Sequence, residues 1–366
     1  MVIAFYIDEM NFRGVANSTY QYALKNIEIL KNISIIFYNK KNKSNKKEVV
    51  TKFKKKFKVY GVNKFSDIDN YQKKLKIKYL YTQKSGNKDE WISKEIKTLV
   101  HSVYPQKLKE IHGHRYAYIS EWLSNKYSNN KIPFIPLIIE SENSPHDLKK
   151  KLRIDKKNLI FGCYGGESSF DMKFAQTALL NLVKKRKDIF FIFLNIDKFC
   201  DHTQIKFLKG TSNEKTKREF INSCDAMIYG RSQGESFGMA CGEFILQNKP
   251  IISYKFNKHR SHNFNVPKKY IYEYGSYNEL KKILSNYKKN YDLPKIDSKY
   301  KDYTASKVMS IFRKVFLGRE NSPEISIFDK YENFKNHLIM NYYYIRHKIY
   351  HHYFNFLESK FVHLKD

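Results

Sequence analysis

Between residues 159 and 254 the chain alternates apolar runs of four to eight residues with stretches whose apolar positions recur at helical spacing. The runs fall at 159–164, 189–196, 205–208, 226–229 and 250–254, and the helical stretches at 173–185, 213–223 and 237–247. Continuous apolar runs are the mark of strands buried on both faces, which need helices as crossovers. Because such crossovers are right-handed and their loops short, this alternation predicts a doubly wound parallel sheet. Helical stretches at 277–287 and 305–316 complete the prediction.

The amino-terminal part opens in the same way. The run VIAFYI at 2–7 stops at Asp8, the segment NFRGVANSTYQYALKNIEIL has helical spacing, and a second apolar run fills 33–38. Residues 40–97 are Lys-rich and weakly patterned, with strand candidates at 57–62 and 79–82; further strands are expected at 99–104 and 116–119, and a helix at 121–127. At 366 residues the chain exceeds one compact domain. The segment IPFIPLIIESENSP at 132–145, with three prolines, reads as the crossing between two domains. The expected boundaries are 1–135 for a first Rossmann-like domain, 136–318 for a second and 319–366 for a basic, aromatic, helical tail. Two readings of the tail stay open: amphipathic helices folded back on the body, or a basic aromatic surface for a membrane or an acceptor.

With 68 Lys and Arg against 36 Asp and Glu, the formal charge of +32 attracts phosphates, anionic membranes and nucleic acid alike. The Lys, Asn, Ile and Tyr richness also follows from an AT-rich coding sequence, so charge alone selects none of them. The four cysteines form no C-x-x-C pair and read as reduced core residues. The first apolar run is too short and too acidic at its end for a signal peptide, and no run reaches the ~18 apolar residues of a membrane span. A cytoplasmic protein is expected, with peripheral membrane contact left open. Asp67 and Asp69 imitate a metal-binding Asp-x-Asp, but an acid pair at a helix start explains them as well. No P-loop, G-x-S-x-G, kinase set or zinc-protease motif is present.

The stretch RSQGESFGMACGEFILQNKP at 231–250, directly after an apolar run, carries the chemistry. Ser236 is a suitable N-cap for a helix opening at Phe237, whose first-turn amides would form an anion site fit for a pyrophosphate. Glu235 and Glu243 lie about 12 Å apart along such a helix, a separation that suits a ligand with hydroxyls at both ends and negative charge between. Gly238 and Gly242, four apart, leave one helix face bare for ligand or strand.

The segment E-S-F-G-M-A-C-G-E, followed by N-K-P and an apolar run, resembles the E-x7-E signature of retaining glycosyltransferases of family 4. That resemblance implies the GT-B architecture, two Rossmann-like doubly wound α/β domains facing a cleft. It implies transfer of a sugar from a UDP- or GDP-sugar to an acceptor hydroxyl with retention at the anomeric carbon. Glu235 and the backbone of Ser236, Phe237 and Gly238 would engage the transferred sugar, and Glu243 the ribose. The nucleotide sugar would be the donor, with no other cofactor and no required metal; the acceptor, a glycan, lipid or protein, is unspecified. Where that family carries Gly-Arg and a later Lys, this chain has Gly165-Gly166 and Lys173, so Arg231 is a candidate to supply the missing guanidinium. Lys209 is a reserve.

In the first domain Gly14, beside Arg13, is a candidate for backbone contact to sugar or acceptor, a plain helix start being the alternative. His101 and His112 are candidate catalytic groups with Glu235, His114 a weaker one, though a lone histidine on a strand is commonly core. Two rivals stay in view: a nucleic-acid-binding protein, which the charge and the aromatics would serve, and an idle GT-B protein at a membrane surface.

Overall fold

The computed structural model describes residues 1–140, 145–289, 295–318 and 326–362, with side chains to 354. The chain divides into two compact units, Met1–Glu140 with Asp302–His337, and Ser141–Lys301 with Leu338–Asp366.

In the first unit the strands are β1 (Val2–Ile7), β2 (Ile33–Asn39), β3 (Lys58–Val62), β4 (Ile77–Lys84), β5 (Lys97–Ser102) and β6 (Arg115–Tyr118). The helices between and after them are α1 (Gly14–Glu28), α2 (Lys47–Lys54), α3 (Gln72–Leu75) and α4 (Glu121–Ser128). All six strands pair in parallel in the order β3-β2-β1-β4-β5-β6. The central strands are aliphatic and aromatic throughout, so both faces can be covered: Ile3, Ala4 and Phe5 of β1 and Leu80 and Tyr81 of β4 are fully buried. Asp67 accepts from the backbone amides of Asn63 and Lys64 and holds a local turn, whereas Asp69 accepts from the Lys94 amide and the Ser93 hydroxyl and ties its turn to the loop before β5.

The second unit runs α5 (Lys149–Leu152), β7 (Leu159–Tyr164), α6 (Lys173–Lys185), β8 (Ile189–Leu194), β9 (Ile205–Leu208), α7 (Glu214–Ser223) and β10 (Ala226–Tyr229). It continues with β11 (Gly234–Glu235), α8 (Met239–Leu246), β12 (Ile251–Tyr254), β13 (His259–Arg260), α9 (Ser261–Asn265), β14 (Ile271–Tyr274) and α10 (Tyr277–Asn286). Six of these strands form a second parallel sheet, β14-β12-β10-β7-β8-β9, and β11 pairs separately with β13. Counted within each unit, both six-stranded sheets have the order 3-2-1-4-5-6. That order reverses between β1 and β4 in the first unit and between β7 and β10 in the second. Ligands of doubly wound sheets bind outside the carboxyl ends of the strands at such reversals.

After the second sheet come α11 (Ala305–Phe312) and α12 (Ile327–Val362). Residues 302–318, expected with the second domain, belong to the first unit. The reason is packing: Phe312 lies 5.5 Å from the ring of Tyr22 and 5.9 Å from Tyr81, Phe316 lies 5.8 Å from His101, and the Ile139 amide donates to the Tyr303 carbonyl at 2.9 Å. Of the expected crossing at 132–145, residues 132–140 pack in the first unit, and 141–144 lie outside the described residues. The tail is one helix from 327. Its start, through His337, belongs to the first unit, where the Asn333 side chain donates to the Tyr127 carbonyl at 2.7 Å; the rest belongs to the second. Residues 319–325 and 363–366 of the expected tail lie outside the described residues. Among the described residues no helix is long and apolar enough to cross a membrane.

Candidate functional site at the carboxyl end of the second sheet

Strands β7 and β10 flank the reversal and end at Tyr164 and Tyr229. The loops that follow are tied together. The amides of Asp171 and Met172 donate to the Gly230 carbonyl at 3.1 and 3.3 Å, and the Asp171 carboxylate accepts from the Ser232 amide at 2.7 Å and its hydroxyl at 2.8 Å. Gly230 permits this approach, since a Cβ there would come within 2.5 Å of the Phe170 ring. From the β8 side, Asn195 donates to the Gly165 carbonyl at 2.7 Å and the Asp197 amide to the Glu167 carbonyl at 2.8 Å. Gly165, Gly166 and the exposed Lys173, which opens α6, thus share one braced rim with Arg231. Lys209 does not: it follows β9, the edge strand two places from β7.

The helix after the motif opens later than the sequence suggests. Gly238, with φ of 86°, is the N-cap of α8 and Met239 its first residue. Ser236 and Phe237 are both buried in the link between β11 and α8, so the expected Ser236 cap and start at Phe237 are corrected by two residues. The cause is the β11–β13 pairing, which holds Gly234 and Glu235 against His259 and Arg260, so that the chain turns into the helix only at the left-handed Gly238. The bare glycine face is also corrected. Tyr300, fully buried, fills it: a Cβ on Gly242 would lie 2.8 Å from its ring and one on Gly238 2.9 Å from its hydroxyl, which donates to the Phe237 carbonyl at 2.7 Å.

The amides of Met239, Ala240 and Cys241 in the first turn of α8 have no acceptor within the helix. The starts of the four longer helices of this unit, α6, α7, α8 and α10, fall into two kinds. α6 and α8 have neither a side-chain cap nor an acid in the first turn. By contrast α7 and α10 have both, with Asn213 and Ser276 as caps and Glu214 and Glu279 as acids. Among these four, the starts without a cap or an acid are the two beside the reversal; the short α5 and α9 also lack both.

Glu235 accepts on Oε1 from the Tyr229 hydroxyl at 2.8 Å and from Arg231 Nη1 at 3.3 Å, its side chain about a quarter exposed. Glu243, about one turn into α8, is buried; it accepts from the Tyr164 hydroxyl and from Lys217 Nζ at 3.1 Å. Lys217 also reaches Glu214 at 2.7 Å. Burial pushes the Glu243 carboxyl up, with Lys217 pulling the other way. For Lys217 burial opposes the charge, but Glu243 and Glu214 outweigh it and hold the ammonium protonated above its ordinary range.

Sequence reasoning missed Tyr164, Lys217, Tyr229 and Tyr300. None sits in the motif, and each reaches it through the sheet order or from a neighbouring helix. It also missed His262, fully buried, with Nε2 2.8 Å from the Ser253 hydroxyl and its ring 5.2 Å from that of Tyr229.

The first-domain candidates lie in the first unit. His101 is corrected to a core residue: it is fully buried, its Nδ1 is 2.8 Å from the Tyr81 hydroxyl and its Nε2 2.9 Å from the Ile135 carbonyl. Burial brings its pKa down to about 3, so the ring stays neutral. His112, half-buried, bonds the Glu110 carbonyl at 2.6 Å, and His114 leans on Tyr79; both precede β6, the edge strand, away from the β1/β4 reversal. Gly14 opens α1 just after β1, beside that reversal, and its carbonyl accepts from the Ser18 hydroxyl at 2.8 Å. Cys163, Cys224 and Cys241 are buried as expected, whereas Cys200 is half-exposed; all four are free thiols.

No protein-family model and no curated protein matches the chain. Solved structures do. The HepE protein of Anabaena, in complex with UDP-glucose, superposes with a TM-score of 0.60 at 12% identity, covering 93% of this chain and 99% of its own. A glycosyltransferase from Rickettsia africae gives 0.58 at 13% identity over 93% and 98%. A putative UDP-N-acetylglucosamine 2-epimerase from Listeria monocytogenes gives 0.54 at 9% over 89% and 99%. At such identities the likeness is one of architecture, and with two parallel six-stranded sheets of identical strand order the chain has the GT-B fold.

Proposed function

We propose that the protein is a glycosyltransferase that takes a sugar from a UDP- or GDP-sugar and passes it to an acceptor hydroxyl with retention of configuration. The observation that carries this reading is the grouping at the second reversal: a positive helix start on α8, Arg231 paired with Glu235 before it, and Glu243 about one turn into the helix. A nucleoside diphosphate sugar needs these parts in this sequence, with hydroxyl acceptors at its two ends and a site for anions between them.

On this reading the first-turn amides of α8, Arg231 and Lys173 hold the pyrophosphate. When the bond from C1 to the β-phosphate oxygen breaks, its electron pair stays on that oxygen, where the amides and bases lower the cost. The acceptor oxygen bonds to C1 from the same face and its proton passes to the departing phosphate. Glu235, already oriented by Tyr229, accepts from sugar hydroxyls and is not a nucleophile. Glu243, fixed by Tyr164 and Lys217, keeps carboxylate lone pairs for the ribose. The reaction as proposed needs no metal. The Anabaena structure with UDP-glucose supports a nucleotide sugar as donor. The epimerase-named relative makes epimerisation of the same donor a second reading, separated by its independence of any acceptor.

The test is thermal unfolding against a panel of UDP-, GDP- and ADP-sugars, followed by product analysis. A ligand at 100 times its dissociation constant adds about 2.7 kcal/mol of stability. A shift with a UDP- or GDP-sugar and acceptor-dependent loss of the sugar are expected. Retention on nucleic acid with no response to any nucleotide sugar would replace this reading with the nucleic-acid one, and donor binding without turnover would favour the idle form.

A further inference from the structure

Helix α12 presents an apolar stripe outward. In the second unit Leu338, Tyr342, Ile345, Ile349 and Tyr353 recur at spacings of four, three, four and four and are each 53–65% exposed. They line one face over about 22 Å at 1.5 Å per residue. The opposite face is the one that packs: Met340 and His347 are buried, Tyr350 meets the Phe174 ring at 5.1 Å and accepts from the Tyr277 amide at 3.1 Å, and Phe354 stacks on Tyr277. The helix is therefore anchored by one side and leaves its apolar residues to another phase. Tyr331 and Phe334 continue the spacing toward the helix start. A contiguous exposed apolar strip of this kind marks an interaction surface.

The charges beside it choose the occupant. From 333 to 357 the sequence holds no Asp or Glu, while Lys335, Arg346 and Lys348 fall among the stripe residues. Lys348 and Lys258 each sit 5.5 Å from the centre of the Tyr344 ring, and the Arg346 guanidinium lies 3.9 Å over Phe256. Two copies joined through this face would bring these cations together with no acid between 333 and 357 to offset them, in a chain already at +32. A bilayer with anionic headgroups complements both features. Tyrosine and isoleucine enter the boundary between headgroup and acyl chain, and the flanking bases meet the lipid phosphates.

We infer that α12 is an interfacial helix that seats the protein on an anionic lipid surface through Leu338, Tyr342, Ile345, Ile349 and Tyr353, flanked by Lys258, Arg346 and Lys348. This stands apart from the nucleotide-sugar reading, because it needs no ligand at the second sheet.

Cosedimentation of the full chain with phosphatidylcholine vesicles and with mixed phosphatidylglycerol–phosphatidylcholine vesicles tests it. Partitioning at least about 10-fold stronger on the anionic vesicles and weakened by salt is expected, with I345D/I349D losing about 10-fold while its unfolding temperature is kept. As both residues are exposed, the variant should fold. As a second readout, I349W should show a blue shift in its emission on anionic vesicles, with quenching by brominated lipid. Equal partitioning of wild type and I345D/I349D would overturn the assignment. So would a concentration-dependent dimer that I345D/I349D dissolves, with no vesicle binding, which would make a second copy the occupant.

Discussion

The two sheets have the same strand order yet differ in what lies at the carboxyl ends of their central strands. In the first, the groups around β4 and β5 form an aromatic cluster, with Tyr22, Tyr81, His101, Phe312 and Phe316 in ring contact and the Ser18 hydroxyl donating to Gln83 at 2.7 Å, while the buried Lys84 that ends β4 is paired with Asp89. Asp8, at the end of β1, is satisfied by neutral donors from Tyr6, Asn39 and Asn42. In the second, the carboxylates Glu235, Glu243 and Glu214 are held by Arg231 and Lys217 around a helix start with no acid of its own. One topology thus supports aromatic packing with a buried lysine neutralised by an aspartate in one unit and a set of oriented carboxylates and bases around a helix start in the other; side chains, not strand order, make the difference.

The sharpest way to break this contrast is Glu243→Ala. It leaves Lys217 with a single carboxylate and the Tyr164 hydroxyl without its acceptor, so a loss of about 3 kcal/mol in urea-measured stability is expected. The thermal shift with nucleotide sugar should vanish as well. An unchanged urea midpoint would show that the charges of the second unit are not structurally coupled.

His101→Ala tests the other side, with an expected cost of about 2 kcal/mol from the cavity and two lost hydrogen bonds, and no change in donor affinity. It also carries a pH signature. The folded pKa of about 3 lies below the ordinary value near 6.5, so between these the unfolded chain binds the extra proton. The His101 contribution is complete above pH 6.5 and is lost as pH falls toward 3, at up to about 1.4 kcal/mol per pH unit. His262, brought down to about 3 by burial, gives the same slope from the second unit. Stability measured from pH 7 to 4 should therefore fall less steeply in the variant; an identical slope would mean that His101 takes up its proton in the fold at the same pH as in the unfolded chain.

The smallest effect is expected from Arg231→Ala, about 10-fold weaker binding of nucleoside diphosphate with nucleoside binding unchanged. Titration calorimetry with both ligands checks it. Equal weakening would assign Arg231 to orienting Glu235 alone.

Much of the second unit was legible because its strands are uninterrupted apolar runs buried on both faces: β7, β9 and β10 fall where the runs do. The first unit was harder to read, since the Lys-rich α2 and α3 and the turn at Phe65–Tyr71 are short and stabilised by tertiary contacts such as those of Val49, Phe53 and Ile68. At the site the charged positions were readable, but their partners were not. Ser236 satisfies the local rules for a cap, and the β11–β13 pairing overrides them; Gly242 looks like room for a ligand until Tyr300, 58 residues later in the sequence, is seen to occupy it. His101 deceived for a related reason, because a histidine near a strand end reads the same whether its partners are Tyr81 and Ile135 or a substrate.

The return of residues 302–318 to the first unit bears on how the protein is made. Phe312 and Phe316 complete the aromatic cluster that β4 and β5 begin, yet they leave the ribosome only after the whole second sheet has been synthesised. The earlier half therefore waits, with Tyr22 and Tyr81 uncovered, while the later one is already able to collapse. A nascent chain stalled near residue 300 should expose that cluster to proteases and chaperones, and the amino-terminal segment is the last to become secure.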